Sequence, residues 1–104
     1  MIKVEMLKSS TNQLVGFRIE GHAGYAKAGS DIVCAGVSTL AINTINSIEA
    51  FTETKFNYSG NVESGSMIFT LVPPVSCEAE LLLKSFQLGI KSISQDYGKY
   101  VNCN

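Results

Sequence analysis

The hydrophobic period of this chain changes near residue 30, and this change limits the folds that are open to it. In the first part of the chain, apolar residues recur at every second position. These positions are Ile2, Val4 and Met6, and then Val15, Phe17 and Ile19. A period of two is typical of a strand with one buried face. Because the polar turn between them at residues 9–12 is short, the sequence predicts an antiparallel hairpin.

From Asp31 the apolar residues recur at spacings of three and four, which predicts a helix that ends near Phe51. The residues on this stripe are Val33, Val37, Ala41, Ile45 and Ile48. Ser30 or Asp31 is the predicted N-cap, since a short side-chain oxygen can accept from the first amides of a helix. Gly36 costs about 1 kcal/mol relative to alanine in a helix. Packing of the helix on the sheet explains this glycine better than close approach of a substrate.

The second half of the chain repeats this order. Alternation at Phe56 and Tyr58, and again at residues 67–71, predicts a second hairpin with its turn at residues 60–65. Pro73-Pro74 ends the last of these strands, because proline cannot donate to a strand ladder. A second helix follows with Ser76 as its predicted N-cap, and residues 99–103 can add a short edge strand. The predicted buried stripe of this helix is Leu82, Phe86, Ile90, Ile93 and Tyr97.

The predicted element order is therefore ββαββα, with a possible further strand at the end. Each helix has one apolar stripe and each hairpin one apolar face, so two helices packed on a small antiparallel or mixed sheet would bury both sets. We predict an α+β fold. We also predict a single domain over residues 1–104, because a chain of 104 residues can bury one core but not two.

Composition and charge argue against several classes of protein. The net charge is −1 and the lysines are scattered, so no direct binding of nucleic acid is expected. The alternating N-terminus is unlike a secretory signal. The longest apolar stretch, residues 33–42, is about half of what a bilayer requires. Three cysteines without close pairing favour a reducing compartment. We expect a cytoplasmic protein that does not associate with membranes.

The sequence predicts neither a metal site nor a cofactor site. Zinc would need His22 to converge with Cys34, Cys77 and Cys103, and no C-x-x-C or H-x-x-x-H spacing supports this. The run GYAKAG lacks the GK[ST] ending of a phosphate-binding loop. A redox function would need Cys77 to act as a resolving cysteine, which only the fold could bring about.

Chemically reactive residues concentrate at residues 21–38. Cys34 falls in the first turn of the predicted helix, where unpaired N–H groups and the helix dipole favour a thiolate. The same N–H groups could stabilise an oxyanion. His22 would complete a nucleophile–base pair for acyl transfer, and Asp31 could orient the imidazole or only cap the helix. Taken from these residue types alone, a surface histidine and a core cysteine are the more common interpretation.

The other candidate site residues lie in the loop after His22 and in the first turns of the helix. Glycines allow this loop to bend and to close over an extended peptide, although ordinary turns explain them equally well. The candidates for substrate contact are Gly21, Ala23, Gly24, Gly29, Ser30, Ala35 and Ser38.

The run GHA at residues 21–23, followed by Gly29 and by DIVCA at residues 31–35 with Val37 and Ser38, resembles the Prp family of ribosomal-processing cysteine proteases. This bacterial family is found notably in Firmicutes. The resemblance is specific at residues 21–38 and extends over nearly the whole chain in length and element order.

The resemblance implies a homodimeric α+β protease that removes an N-terminal extension from a large-subunit ribosomal protein, the twenty-seventh of that subunit. It also implies that Cys34 is the nucleophile and His22 the general base, and that the loop at residues 23–30 is mobile and orders over the substrate. The alternative is a non-enzymatic, ribosome-associated binding or assembly protein of the same fold. In that case Cys34 is a core thiol and His22 an ordinary loop residue.

Overall fold

The computed structural model describes residues 1–27, 31–61 and 65–104. The strands and helices follow one another as β1 (Ile2–Lys8), β2 (Leu14–Glu20), α1 (Ile32–Phe51), β3 (Lys55–Asn61), β4 (Ser66–Val72), α2 (Cys77–Asp96) and β5 (Val101–Cys103). The predicted element order is confirmed, including the short last strand. In the predicted turn at residues 60–65, β3 continues as far as Asn61, and residues 62–64 lie outside the described residues.

The five strands form one mixed sheet in the order β3-β4-β2-β1-β5. β1 pairs antiparallel with β2, β2 with β4, and β4 with β3, whereas β5 lies parallel to β1 at the other edge. The two predicted hairpins therefore join through β2 and β4, with Glu20 opposite Ser66. This pairing brings the end of β2 beside the start of β4, and the candidate site lies at this junction.

The register between β1 and β2 corrects one detail of the prediction. Val15 is only half-buried, whereas Leu14 is buried. Leu7 pairs with Gly16 and the next residue of β1, Lys8, pairs with Leu14, so Val15 is an additional residue in β2. A bulge of this kind changes the face on which the flanking side chains lie.

The core lies between the sheet and the two helices, and aromatic rings form its centre. Phe17 stacks on Phe86 with ring centroids 4.2 Å apart, and it contacts Phe69 at 5.2 Å. The side chains of these three phenylalanines are almost completely inaccessible. One ring each from β2, β4 and α2 thus ties the helical layer to the middle of the sheet.

The buried stripe of α1 agrees with the prediction at Val33, Val37, Ala41 and Ile48, while Ile45 is only partly buried. Thr44 is buried beside this stripe, and its hydroxyl donates to the carbonyl of Leu40 at 2.7 Å. The local hydrogen bond satisfies the hydroxyl and makes its burial tolerable.

The buried stripe of α2 is rotated relative to the prediction. Phe86 and Ile90 are buried as expected, but the other fully buried residues are Ala79 and Leu83, and not Leu82. The remaining predicted residues, Leu82, Ile93 and Tyr97, are partly buried. The reason is that α2 packs against α1, β2 and β5 together, and not against one flat sheet.

Gly36 faces α2 and not the sheet. A Cβ at this position would lie 3.5 Å from the Cδ1 atom of Ile93, which is ordinary contact distance. The glycine therefore belongs to the packing between the two helices, and the predicted helix–sheet contact is wrong.

Among the described residues, α1 is the one helix long and apolar enough to span a membrane by length and composition, with a mean hydropathy of 1.2. Core helices of soluble proteins meet the same criteria. Five residues of α1 are buried within the fold.

Candidate active site

The end of β2 positions His22. The backbone turns at Gly21, where φ is +90°, and the Gly21 N–H donates to the carbonyl of Gly65 at 2.7 Å. A Cβ on Gly21 would lie 2.3 Å from the carbonyl oxygen of Met1, so both the backbone conformation and the space require glycine. This turn places His22 directly after the central strand, with its side chain exposed.

The imidazole of His22 lies against Gly65, the residue before β4. A Cβ on Gly65 would come within 2.7 Å of Nε2 and within 3.3 Å of both Cδ2 and Cε1. The backbone of Gly65 has φ +82°, a conformation that glycine adopts without strain. Gly65 thus forms the surface on which the imidazole rests.

Cys34 is half-buried in the first turn of α1, as the sequence predicts. Its Sγ accepts a hydrogen bond from the backbone N–H of Ala23 at 3.3 Å. Since Ala23 directly follows His22, the sulfur lies beside the backbone of the histidine. Within residues 1–27, 31–61 and 65–104, no hydrogen bond joins the imidazole to the thiol. The fold therefore brings the two residues together while the imidazole rests against Gly65.

Asp31 is the N-cap of α1, and both of its carboxylate oxygens are occupied. Oδ1 accepts from the N–H groups of Val33 and Cys34, each at 3.0 Å. Oδ2 accepts from Tyr25 at 3.0 Å and from Ala26 at 3.4 Å. The backbone amide of Cys34 is the main reason that the pKa of Asp31 lies below 3.8. Partial desolvation opposes this shift, and the amides of Ala26 and Tyr25 and the Cys34 thiol add to it.

Of the two predicted roles of Asp31, these contacts show the helix cap. Its carboxylate caps the helix and holds the loop, and among the described residues it has no hydrogen bond with His22. The same residue also pairs three of the first-turn amides that the sequence predicts as oxyanion donors. The amides of Val33 and Cys34 donate to the Asp31 carboxylate, and the amide of Ala35 donates to the Asp31 carbonyl at 3.0 Å.

The other predicted site residues occupy different environments. Ala23 is buried at 4% exposure, whereas Gly24 and Ala35 are exposed. Gly29 and Ser30 lie outside the described residues, and with them the end of the loop that was predicted to be mobile.

Ser38 lies one turn of α1 beyond Cys34, at the start of a groove between α1 and the β3–β4 hairpin. The groove has a volume of about 410 Å³. The described residues that line it carry no charged side chain and are Ser38, Ile42, Ile45, Asn46, Tyr58, Gly60, Asn61 and Met67.

The remaining cysteines lie on other elements. Cys77 is exposed at the start of α2, Cys103 is half-buried in β5, and all three cysteines are free. Burial raises the pKa of the Cys103 thiol above 9.0, and the charge of Lys91 opposes this shift. In the part of the chain that the structure describes, no group of three or more potential ligands is arranged to hold a metal ion.

The sequence model described as "Cysteine protease Prp" matches residues 1–102. The chain belongs to the Prp family of cysteine proteases. The family resemblance found at residues 21–38 is therefore confirmed, and the chain is an enzyme that acts on peptide bonds.

Similarity to individual proteins extends over whole chains. The ribosomal processing cysteine protease Prp of Staphylococcus aureus (strain Mu50 / ATCC 700699) is 27% identical over 106 residues, which cover 100% of this chain and 98% of the relative. The protein of the same name from Bacillus subtilis (strain 168) is 26% identical over 101 residues, which cover 93% and 90% of the two chains.

A solved structure also matches the fold of this protein over its whole length. The crystal structure of the essential S. aureus ribosomal processing protease Prp with a covalently linked product peptide has a TM-score of 0.93 and 25% sequence identity. The match covers 100% of this chain and 98% of that one. It confirms the α+β fold with two helices on a five-stranded mixed sheet.

The sequence interpretation missed Gly65 and Tyr25. The sequence predicts Gly65 only as part of a turn, because His22 comes close to it only when β2 pairs with β4. The hydrophobic pattern contains no signal for Tyr25, whose backbone N–H donates to the Asp31 carboxylate.

Proposed function

We propose that this protease uses Cys34 as its nucleophile and His22 as its general base. The observation that carries the proposal is the hydrogen bond from the Ala23 N–H to the Cys34 Sγ, which fixes the histidine-bearing segment at the sulfur. Cys34 is also the half-buried cysteine at the start of α1, whereas Cys77 and Cys103 lie on other elements.

We also propose a substrate, the precursor of the twenty-seventh protein of the large ribosomal subunit, from which the enzyme removes an N-terminal extension. The relatives from S. aureus and B. subtilis are named as ribosomal processing proteases, which supports this choice. The reaction takes place in the cytoplasm, where ribosomes mature, and a homodimer is the expected form of the enzyme. It requires neither a metal nor a cofactor.

In the proposed mechanism, the His22 imidazole stays seated against Gly65 and accepts the thiol proton of Cys34 through a contact that forms when substrate binds. Catalytic contacts are often long in an empty site and tighten when substrate binds. The thiolate forms a bond to the carbon of the scissile carbonyl, whose oxygen becomes an oxyanion. When this intermediate collapses, the C–N bond breaks and the imidazolium gives its proton to the leaving amine.

The product of this step is a thioester between Cys34 and the N-terminal peptide. His22 then accepts a proton from water, and the resulting hydroxide attacks the thioester carbon. The C–S bond breaks, the peptide leaves with a new carboxylate, and Cys34 regains its proton.

The oxyanion of both steps needs a donor other than the amides of Val33, Cys34 and Ala35, which already donate to Asp31. The Ala23 N–H is the suitable donor, because it lies 3.3 Å from the sulfur on which the intermediate forms. Removal of one such donor typically lowers kcat by about 10²–10³.

The groove that begins at Ser38 suits an extended peptide. The part of its lining that the structure describes is uncharged and includes Ile42 and Tyr58, which are 52% and 59% exposed. β3 forms one edge of the sheet, and an edge strand is where an extended peptide can add a further strand. A substrate segment in this groove would lead directly to Cys34.

The test is intact-mass analysis of the ribosomal protein precursor after incubation with the wild type, Cys34→Ala and His22→Ala. Cys77→Ala is the matched control for loss of a cysteine. We expect the wild type and Cys77→Ala to release one defined N-terminal peptide, and both site variants to be inactive.

Cleavage by Cys34→Ala would refute the assignment of the nucleophile. Failure of the folded wild type to cleave a precursor with a verified extension would refute the proposed substrate. A non-enzymatic role in binding would then become the better account of the ribosomal association.

A further inference from the structure

The ring of Tyr25 ties the segment after His22 to the C-terminal part of the fold. It meets the ring of Tyr97 edge-on, with centroids 5.7 Å apart and an interplanar angle of 86°. It meets Tyr100 in the same way at 5.1 Å and 78°. The backbone N–H of Tyr25 donates to the Asp31 carboxylate. The start of α1 therefore holds the backbone of Tyr25, and the C-terminal part of the fold holds its ring.

Tyr97 and Tyr100, which together form the support of the Tyr25 ring, are held in place by backbone hydrogen bonds. Tyr97 is the C-cap of α2, and its N–H donates to the carbonyl of Ile93 at 2.8 Å. The Tyr97 carbonyl accepts from the N–H groups of Tyr100 and Val101 at 2.8 and 3.1 Å. The Tyr100 carbonyl accepts from Ile2 in β1 at 2.8 Å. The support is therefore joined by backbone hydrogen bonds to a helix and to the sheet.

The link between Tyr25 and the reactive sulfur is short. Only Gly24 separates Tyr25 from Ala23, and a Cβ on Gly24 would meet nothing within 4 Å. No side-chain contact therefore holds residue 24, and glycine has the greatest backbone freedom of all residues. The direction of the Ala23 N–H depends on the anchors to either side, which are the Gly21–Gly65 hydrogen bond and the Tyr25 ring.

We propose that Tyr25 is a positioning residue of the active site: its ring, seated against Tyr97 and Tyr100, keeps the Ala23 N–H directed at Cys34 Sγ. This inference rests on the proposed function, in which Cys34 is the nucleophile. A donor that is aimed at the sulfur stabilises the thiolate and then the oxyanion. Loss of the ring contacts weakens this donor without touching substrate or sulfur.

The experiment compares the wild type with Tyr25→Ala, Tyr25→Phe and Phe51→Ala. The phenylalanine variant keeps the ring and its edge-to-face contacts. Phe51→Ala is the control for loss of an exposed aromatic ring, because Phe51 is 77% exposed at the far end of α1. Three quantities are measured: kcat and KM for a peptide that spans the cleavage site, the pH–rate profile for alkylation of Cys34, and the rate of tryptic cleavage after the exposed Lys27.

For Tyr25→Ala we expect kcat to fall roughly tenfold and tryptic cleavage after Lys27 to become roughly tenfold faster, since two edge-to-face ring pairs are lost. Alkylation of Cys34, followed by peptide mass mapping, becomes slower than in the wild type because the sulfur loses a hydrogen-bond donor. Tyr25→Phe and Phe51→Ala remain within about twofold of the wild type in all three measurements.

The proposal would be overturned if folded Tyr25→Ala is alkylated at Cys34, and cleaved by trypsin after Lys27, at the same rates as the wild type. If Tyr25→Ala shows no cooperative unfolding, Tyr25→Leu replaces it, because leucine keeps apolar bulk but cannot make the edge-to-face contacts. Tryptic cleavage and alkylation need no peptidase activity. They therefore test Tyr25 even if Cys34→Ala proves that another residue is the nucleophile.

Discussion

Replacement of Gly65 by alanine is expected to impair catalysis far more than folding. The added Cβ would lie 2.7 Å from Nε2 of His22, whereas contact between such atoms normally begins near 3.5 Å. The exposed imidazole must move by roughly 1 Å, and a misplacement of about 1 Å in a catalytic group can cost about 10²-fold. The left-handed backbone at φ +82° adds about 1–2 kcal/mol of strain to the folded state. We therefore expect kcat to fall about 100-fold and the free energy of unfolding by about 1–2 kcal/mol.

The assay is steady-state cleavage of a peptide substrate, together with urea unfolding of the same preparations. Asn12→Ala is the matched control, because Asn12 also has a left-handed backbone, with φ +66°, at the opposite end of the β1–β2 hairpin. This control should lose about 1 kcal/mol or less of stability and keep its kcat. Wild-type kcat in Gly65→Ala, or equal losses of kcat in the two variants, would refute the argument that Gly65 positions the imidazole.

Three further outcomes follow from the structure. The pKa of Asp31 is lowered below 3.8, so its stabilising effect is complete above that pH and is lost as the pH falls through the folded-state value. When melting temperature is measured between pH 2 and 7, it should therefore decline less steeply at low pH in Asp31→Asn than in the wild type. Parallel curves of melting temperature against pH for the two proteins would contradict this. Cys103, whose pKa burial raises above 9.0, should react with iodoacetamide near pH 8 more slowly than the exposed Cys77, as mass mapping can show. Phe17→Ala should lower the free energy of unfolding in urea by about 3–5 kcal/mol, because it leaves a cavity at the centre of the core. A loss no larger than that of Phe51→Ala, which removes an exposed ring, would be inconsistent with the stacking of Phe17 in the core.

The sequence predicts the local features of this fold well, because they depend on residues that are close in the chain. The change of period at Asp31 marks the start of α1, and Ser76 caps α2 through the amide of Ala79 at 3.1 Å. A capping side chain reaches only two or three residues forward, so such features can be inferred from spacing alone.

The features that the sequence does not predict depend on which strands become neighbours. Hydrophobic alternation is the same whether β2 pairs with β4 or with another strand, so the approach of Gly65 to His22 has no signal in the pattern. The buried face of α2 is set by simultaneous contact with α1, β2 and β5. No single periodic stripe describes such a surface, which explains why Leu83, and not Leu82, is fully buried.

Asp31 shows why the start of a helix is an incomplete guide to the chemistry of a cysteine that lies there. Its position before Cys34 predicts a strong cap, and the structure has that cap. The same carboxylate, however, occupies the amides that an oxyanion would otherwise use, and its negative charge lies at the reactive end of α1. In the proposed mechanism the oxyanion therefore uses a donor from outside the helix, the Ala23 N–H, which lies 3.3 Å from the Cys34 sulfur. The carboxylate that occupies the helical amides also binds the loop through Tyr25 and Ala26, so capping of the helix and placement of the external donor depend on one side chain.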